Sequence, residues 1–128
     1  TRENFMQFCE FIAEPAFEAL AEEMKEYKIK CKFWTRKGKS TGIQFDFPGS
    51  GVDSFNYIIS LPKNSVQMRL RLQIKGRKSA KAPLEEFEEV FMERIPLDKV
   101  MKISKEELLN DIVERFRNYT YEALTSAK

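Results

Sequence analysis

The chain of 128 residues contains no histidine. The commonest general base and metal ligand is therefore missing, and histidine-dependent triads and dyads are excluded. Cysteine is nearly missing too. Cys9 and Cys31 are the only two, too few for a disulfide framework and without the Cys/His spacing of a zinc site. Both fall on apolar faces of their segments, so they read as small core residues in a reduced compartment, and a cytoplasmic location is expected. No Gly-rich phosphate loop stands between a strand and a helix. Pro48-Gly49-Ser50-Gly51 joins two expected strands and reads as a hairpin turn rather than a phosphate nest. No apolar run is long enough to cross a membrane, and no secretory signal pattern is present. There is no internal repeat, low-complexity segment or linker. The first residue is not Met, so the chain reads as trimmed or as a piece of something longer.

Carboxylate pairs with catalytic spacing are scarce as well. Glu85/Glu86 and Glu88/Glu89 read as a solvated helix face. Asp46 and Asp53 are not brought together by the expected strand register, so a nuclease-like metal site does not follow from them. Catalysis would need Lys, Tyr or Asp chemistry, and would gain ground from a deep pocket containing Asp46, Tyr57 or Asp53. The residues favour a non-enzymatic protein with no cofactor and no metal.

What is present is an ordinary globular composition with an uneven charge map. Hydrophobic residues make up 42% and charged residues 33%, which suits one α+β domain over residues 1–128 with a core rich in its eleven phenylalanines. The net charge of +2 conceals segregation. Residues 1–26 hold two basic and seven acidic side chains, residues 27–82 thirteen and two, and residues 83–128 seven and eleven.

The cationic middle alternates like half-buried antiparallel strands. Ile29, Cys31 and Phe33 share one face of the first strand; Lys28, Lys30, Lys32, Trp34 and Arg36 share the other. Ile43, Phe45 and Phe47 are the apolar set of the second. Phe55, Tyr57, Ile59 and Leu61 are that of the third. Val66 to Ile74 alternate against Gln67, Arg69, Arg71, Gln73 and Lys75 in the fourth. Short turns imply a meander in the order 1-2-3-4. Pairing Phe33 with Phe45, Phe45 with Tyr57 and Tyr57 with Leu70 keeps the apolar face intact. It also requires an odd-length first turn, read as a three-residue loop at Gly38. One row of the polar face is then Trp34, Gln44, Ile58 and Arg69; the next is Lys32, Asp46, Asn56 and Arg71.

Helices are expected on both sides of this block. Phe5, Phe8, Cys9, Ile12, Ala16, Leu20 and Met24 form one helical stripe, with a kink or a junction at Pro15. Leu84, Phe87, Val90 and Phe91 suggest a helix starting near Pro83. The segment 95–103 is ambiguous between a short helix and an extended stretch. Ser104 and Glu107 form a capping box for a last helix to about Leu124. The architecture is a two-layer sandwich, with a four-stranded antiparallel meander covered on one face by the N-terminal helix and the C-terminal helices.

The other sheet face is left open, and it is basic. Lys30, Lys32, Arg36, Arg69, Arg71 and Lys75 would neutralise phosphates, with Lys28 beside them; Lys37, Lys39, Arg77 and Lys78 extend the field into loops; Trp34 offers a ring for stacking. Edge-strand protection by lysine accounts for part of this pattern, but not for Trp34 and Ile58 among the cations. The expected function is a binding module for a polyanion. Nucleic acid, DNA or RNA, leads, with an acidic membrane surface behind it. The alternative is a protein-interaction or assembly domain, using the acidic helices or the Trp34/Ile58 spot to meet a partner chain, or a homodimer through helices. In outline the pattern is similar to double-stranded-RNA-binding domains, with Lys78-Ser79-Ala80-Lys81 in place of their lysine-rich start of the second helix, and to kinase-associated domains that bind acidic phospholipids. A fourth strand and a further helix depart from the first, and no signature residue carries the second.

Overall fold

A computed structural model of the chain describes residues 2–46, 54–61, 70–77, 83–93, 95–96 and 99–126. The N-terminal stripe folds as helix α1 (Arg2–Phe8), a π-helical turn (Cys9–Ala13) and helix α2 (Glu14–Met24). Pro15 explains the wide turn. It has no N–H for the carbonyl four residues back, and its ring crowds that carbonyl. The turn before it relaxes to longer bonding, with the Glu14 N–H donating to the Cys9 carbonyl. The stripe stays continuous: Phe5, Phe8, Ala13, Phe17 and Leu20 are all buried. After a 3₁₀ turn (Lys25–Tyr27), Lys28 takes a left-handed φ of 61°. Its N–H donates to the Lys25 carbonyl at 3.1 Å and that of Ile29 to Met24 at 3.2 Å, the paired bonds of a Schellman cap. Lys28 therefore closes a helix and does not belong to the first strand.

The strands are β1 (Lys30–Arg36), β2 (Ser40–Asp46), β3 (Ser54–Ser60), β4 (Arg71–Arg77) and β5 (Glu85–Val90). They form one antiparallel sheet in the order β1-β2-β3-β4-β5. The meander matches the expectation; the strand count does not. Where a helix was expected from Pro83, β5 pairs with β4, setting Glu86 beside Lys75 and Glu88 beside Gln73. The leucine, phenylalanine and glutamate of this segment suit a helix locally. Pairing with a basic neighbour outweighs that weak preference. Residues 66–69, the first half of the expected fourth strand, lie outside the described residues.

The register also differs from the expected one, always by an even number of residues. Phe33 stands opposite Ile43, Phe45 opposite Phe55, and Tyr57 opposite Ile74. An even shift keeps each side chain on its face, so the apolar and polar faces are as expected although the partners change. The three-residue loop is present. Arg36 pairs with Ser40, the Lys39 N–H donates to the Arg36 carbonyl at 2.8 Å, and Gly38 has a φ of 73°.

A 3₁₀ turn (Val100–Lys102) occupies part of the ambiguous segment, and helix α3 (Lys105–Ser126) follows. Its capping box is made: the Glu107 N–H donates to Ser104 Oγ at 3.1 Å and the Ser104 N–H to Glu107 Oε1 at 3.3 Å. Helix α3 lies on the apolar face, with Phe116 ring-to-ring at 5.4 Å from Phe45 and 5.8 Å from Phe55. Tyr119 seats its ring on Gly76. A Cβ placed there would stand 2.5 Å from the Tyr119 Cζ. Gly76→Ala is therefore expected to lower the free energy of unfolding by about 1–3 kcal/mol, the usual cost of overpacking. Urea melting checks this, and an unchanged midpoint would show that the ring is not seated there.

Candidate functional site

The register sets four rows on the sheet face opposite the helices. They are Lys30-Asp46-Ser54-Arg77, Lys32-Gln44-Asn56-Lys75-Glu86, Trp34-Gly42-Ile58-Gln73-Glu88 and Arg36-Ser40-Ser60-Arg71-Val90. Apart from Gly42, these side chains are half-buried or exposed. Of the candidate residues, Lys30, Lys32, Trp34 and Arg36 lie along β1, Lys37 and Lys39 in its turn, and Arg71, Lys75 and Arg77 along β4. Arg69 and Lys78 lie outside the described residues, as does Asp53. Asp46 is opposite Lys30 rather than Lys32, and it accepts a hydrogen bond from Gln44 Nε2 at 2.9 Å.

The cations stand in two banks. Between β1 and β4 lie β2 and β3, presenting Ser40, Gly42, Gln44, Ser54, Asn56, Ile58 and Ser60 on this face with one carboxylate, Asp46, and no cation. Three strand spacings put the banks roughly 14 Å apart. No single phosphate bridges that distance, whereas an extended polyanion does.

The two banks are not equivalent. Strand β5 was not foreseen, and it brings Glu86 and Glu88 onto this face. Glu88 lies 3.9 Å from Arg71, and Gln73 Nε2 donates to Glu88 at 2.9 Å and Glu86 at 3.3 Å. The β4 bank is thus partly neutralised. Among the described residues, none of Lys30, Lys32, Arg36, Lys37 and Lys39 is in an ion pair.

Trp34 lies beside the free bank. A Cβ on Gly42 would meet its indole at 2.8 Å and Ile58 at 3.1 Å. The ring therefore lies across the glycine and reaches Ile58, which explains why both residues tolerate this face: each covers the other, an aromatic on a bare stretch of strand. Phe33, on the helix side, is 40% exposed at the sheet edge, where it meets Phe17 of α2 at 6.4 Å.

Chemistry elsewhere is muted. Burial, reinforced by Glu14, pushes the Cys9 thiol up to about 12; burial and Asp46 push Cys31 up to about 11. Both are free thiols and stay protonated at neutral pH, far from a reactive thiolate. The Tyr57 phenol is fully buried and donates to Asp111 Oδ2 at 2.5 Å. Burial first, then the Asp111 charge, hold its proton well above the ordinary range. Arg115 Nε binds the same carboxylate oxygen at 3.0 Å, and its Nη2 pairs with Glu89 of β5. Burial opposes the Arg115 charge, but Asp111 and Glu89 more than offset it and raise its pKa. This chain of groups escaped the sequence reading, although the i,i+4 spacing of Asp111 and Arg115 was its visible trace. A cleft of about 560 Å³ beside it is lined by Glu89, Glu93, Asp111, Glu114 and Arg115. Neither Asp46 nor Tyr57 lines that cleft. Among the described residues no group of three or more Cys, Asp and Glu is placed to hold a metal ion, and no described helix is long and apolar enough to cross a membrane.

Two outcomes follow. Cys9 and Tyr57 hold protons in the fold that the unfolded chain releases from about pH 8.5 and 10. Their contribution is fully present below those values and is lost as the pH climbs through the raised native ones. Urea midpoints should thus fall between about pH 9 and 11, and Cys9→Ala should flatten the early part of that fall. Gly42→Ala should displace the indole toward water, seen as a red shift of the single tryptophan's emission with the fold retained; unchanged emission would contradict the placement of the ring over Gly42. Comparison of the chain with family models, curated proteins and solved structures finds no match, so the functional reading rests on this geometry.

Proposed function

We propose that the chain is a non-enzymatic binding module that engages an extended polyanion, nucleic acid first among them, on the β1 side of its open sheet face. The observation that carries this is the bank of unpaired cations along β1 and its turn, Lys30, Lys32, Arg36, Lys37 and Lys39, beside the half-exposed Trp34. Unpaired cations release counterions when they meet phosphates. The outward side of the Trp34 ring is a surface on which a base stacks. Gln44, Asn56 and the serines between the banks supply neutral donors and acceptors to sugar or base. Arg71 contributes less than its position suggests, because Glu88 stands beside it; Lys75 and Arg77 form the far bank. The free thiols of Cys9 and Cys31 accord with a reducing, cytoplasmic setting.

The test is a titration with single-stranded DNA, duplex DNA and RNA at low and high salt, reading Trp34 fluorescence and oligonucleotide anisotropy together. Binding should quench Trp34 and weaken steeply with salt. Lys32→Ala and Lys39→Ala should each weaken it for every sequence and reduce the salt slope by about one. Glu88→Gln, which leaves Arg71 unpaired, should tighten it. No binding at low salt would remove nucleic acid as the ligand, and vesicles of acidic phospholipid would then test the membrane alternative. Binding with Trp34 silent would move the site off the sheet face.

A further inference from the structure

The two outer strands carry opposite charge. On β1 the ionisable side chains are Lys30, Lys32, Cys31 and Arg36, with no carboxylate; on β5 they are Glu85, Glu86, Glu88 and Glu89, with no cation. Among the described residues each strand is hydrogen-bonded on one side only, so each offers a row of backbone donors and acceptors to another strand. Like charge guards against pairing of an edge with its own copy. Two β1 strands would bring cations together, and two β5 strands carboxylates. It does not guard β1 against β5.

The interior of the molecule shows how such a pair is made. Strand β4 has β1's pattern, cations on the open face and apolar residues on the helix face, and it is completed by β5. Among the described residues β1 has no such neighbour. The aromatic residues agree. The row Phe33-Ile43-Tyr57-Ile74-Phe87 runs across the sheet. Its middle members are buried, but Phe33 is 40% and Phe87 54% exposed at its two ends.

We propose that a second copy of the chain docks its acidic β5 against β1, continuing the sheet head to tail. In an antiparallel meander of five strands the first and last run in the same direction, so the joint that keeps both helix layers on one side is parallel. The register that places Phe87 beside Phe33 sets Glu86 beside Lys32 and Glu85 beside Cys31. Such a contact is heterologous: each addition leaves one β1 and one β5 free. The joint and the proposed polyanion site draw on the same Lys32 and Arg36 of β1, so the two would compete, and sedimentation of the protein alone tests the joint apart from that reading.

Sedimentation velocity across a concentration series tests it, at about 10 mM and about 1 M salt, where charges are screened over roughly 30 and 3 Å. The expected result at low salt is a sedimentation coefficient that climbs past that of a dimer, and at high salt a return to monomer. Lys32→Glu with Arg36→Glu should remain monomeric at both, with its circular dichroism unchanged. Glu85→Cys, oxidised with copper phenanthroline, should give a ladder of disulfide-linked species on a non-reducing gel, and adding Cys31→Ser should erase it. This second experiment decides the matter even if the double charge reversal fails to fold. A monomer at low salt at every concentration, association that stops at the dimer, or a Glu85→Cys chain that does not ladder through Cys31 would each overturn the proposal.

Discussion

The pairing of an acidic strand with a basic one is the interaction on which the rest of the structure depends. Between Arg71 and Arg77 the chain places cations on one face of β4; between Glu85 and Val90 it places carboxylates. Laid side by side, the two relieve each other's repulsion along their length, though each exposed pair contributes only about 0–1 kcal/mol. The effect on geometry is larger than the energy suggests. It turns a locally helical sequence into a strand, carries the sheet one strand further, and moves four glutamates from an expected helix surface onto the edge and both faces of the sheet.

One of those glutamates ties the layers together. Glu89 points toward α3 and meets Arg115, which also binds Asp111, which in turn accepts the buried Tyr57 hydroxyl. The outer strand, the last helix and the centre of the sheet are thereby held by one chain of polar contacts. A buried phenol needs such an acceptor, since an unmet hydroxyl costs about 1–3 kcal/mol. Arg115, bound to the same carboxylate oxygen, holds Asp111 in place to accept that hydrogen bond. The network is therefore best understood as fixing how α3 sits on the sheet, beside the apolar contacts of Phe116 and the seat of Tyr119 on Gly76.

Period-two alternation made β1 to β4 and their two faces legible in the sequence, because one covered face forces it. The Ser104–Glu107 box marked the start of α3 by a local bond that needs no tertiary context. Exact partners were not legible. A shift of two residues leaves every side chain on its own face, and nothing in the local pattern separates Phe33 opposite Phe45 from Phe33 opposite Ile43. Strand β5 was hidden for a different reason. Leu84, Phe87, Val90 and Phe91 fit a helical stripe, and the deciding partner, β4, is non-local. At the candidate site the cations of β1 were readable one by one. That Glu88 stands beside Arg71 and that Trp34 lies over Gly42 were not, since both depend on which strands become neighbours.

The same segregation explains why β1 keeps its charge. The central residues 27–82 hold thirteen cations against two carboxylates, and the chain supplies one acidic strand to answer them. That strand is committed to β4. From β5 to β1 is four strand spacings, roughly 19 Å, more than twice the screening length of about 8 Å at physiological salt. The glutamates of β5 therefore do little for Lys30, Lys32 and Arg36 within one molecule. Among the described residues Asp46 is the nearest carboxylate on the face; it stands opposite Lys30 but is hydrogen-bonded to Gln44, with no ion pair to the lysine. A sheet that satisfies one basic strand internally and leaves the other unanswered has a free cationic edge and face by construction. Any ligand of that face would have to bring the negative charge with it.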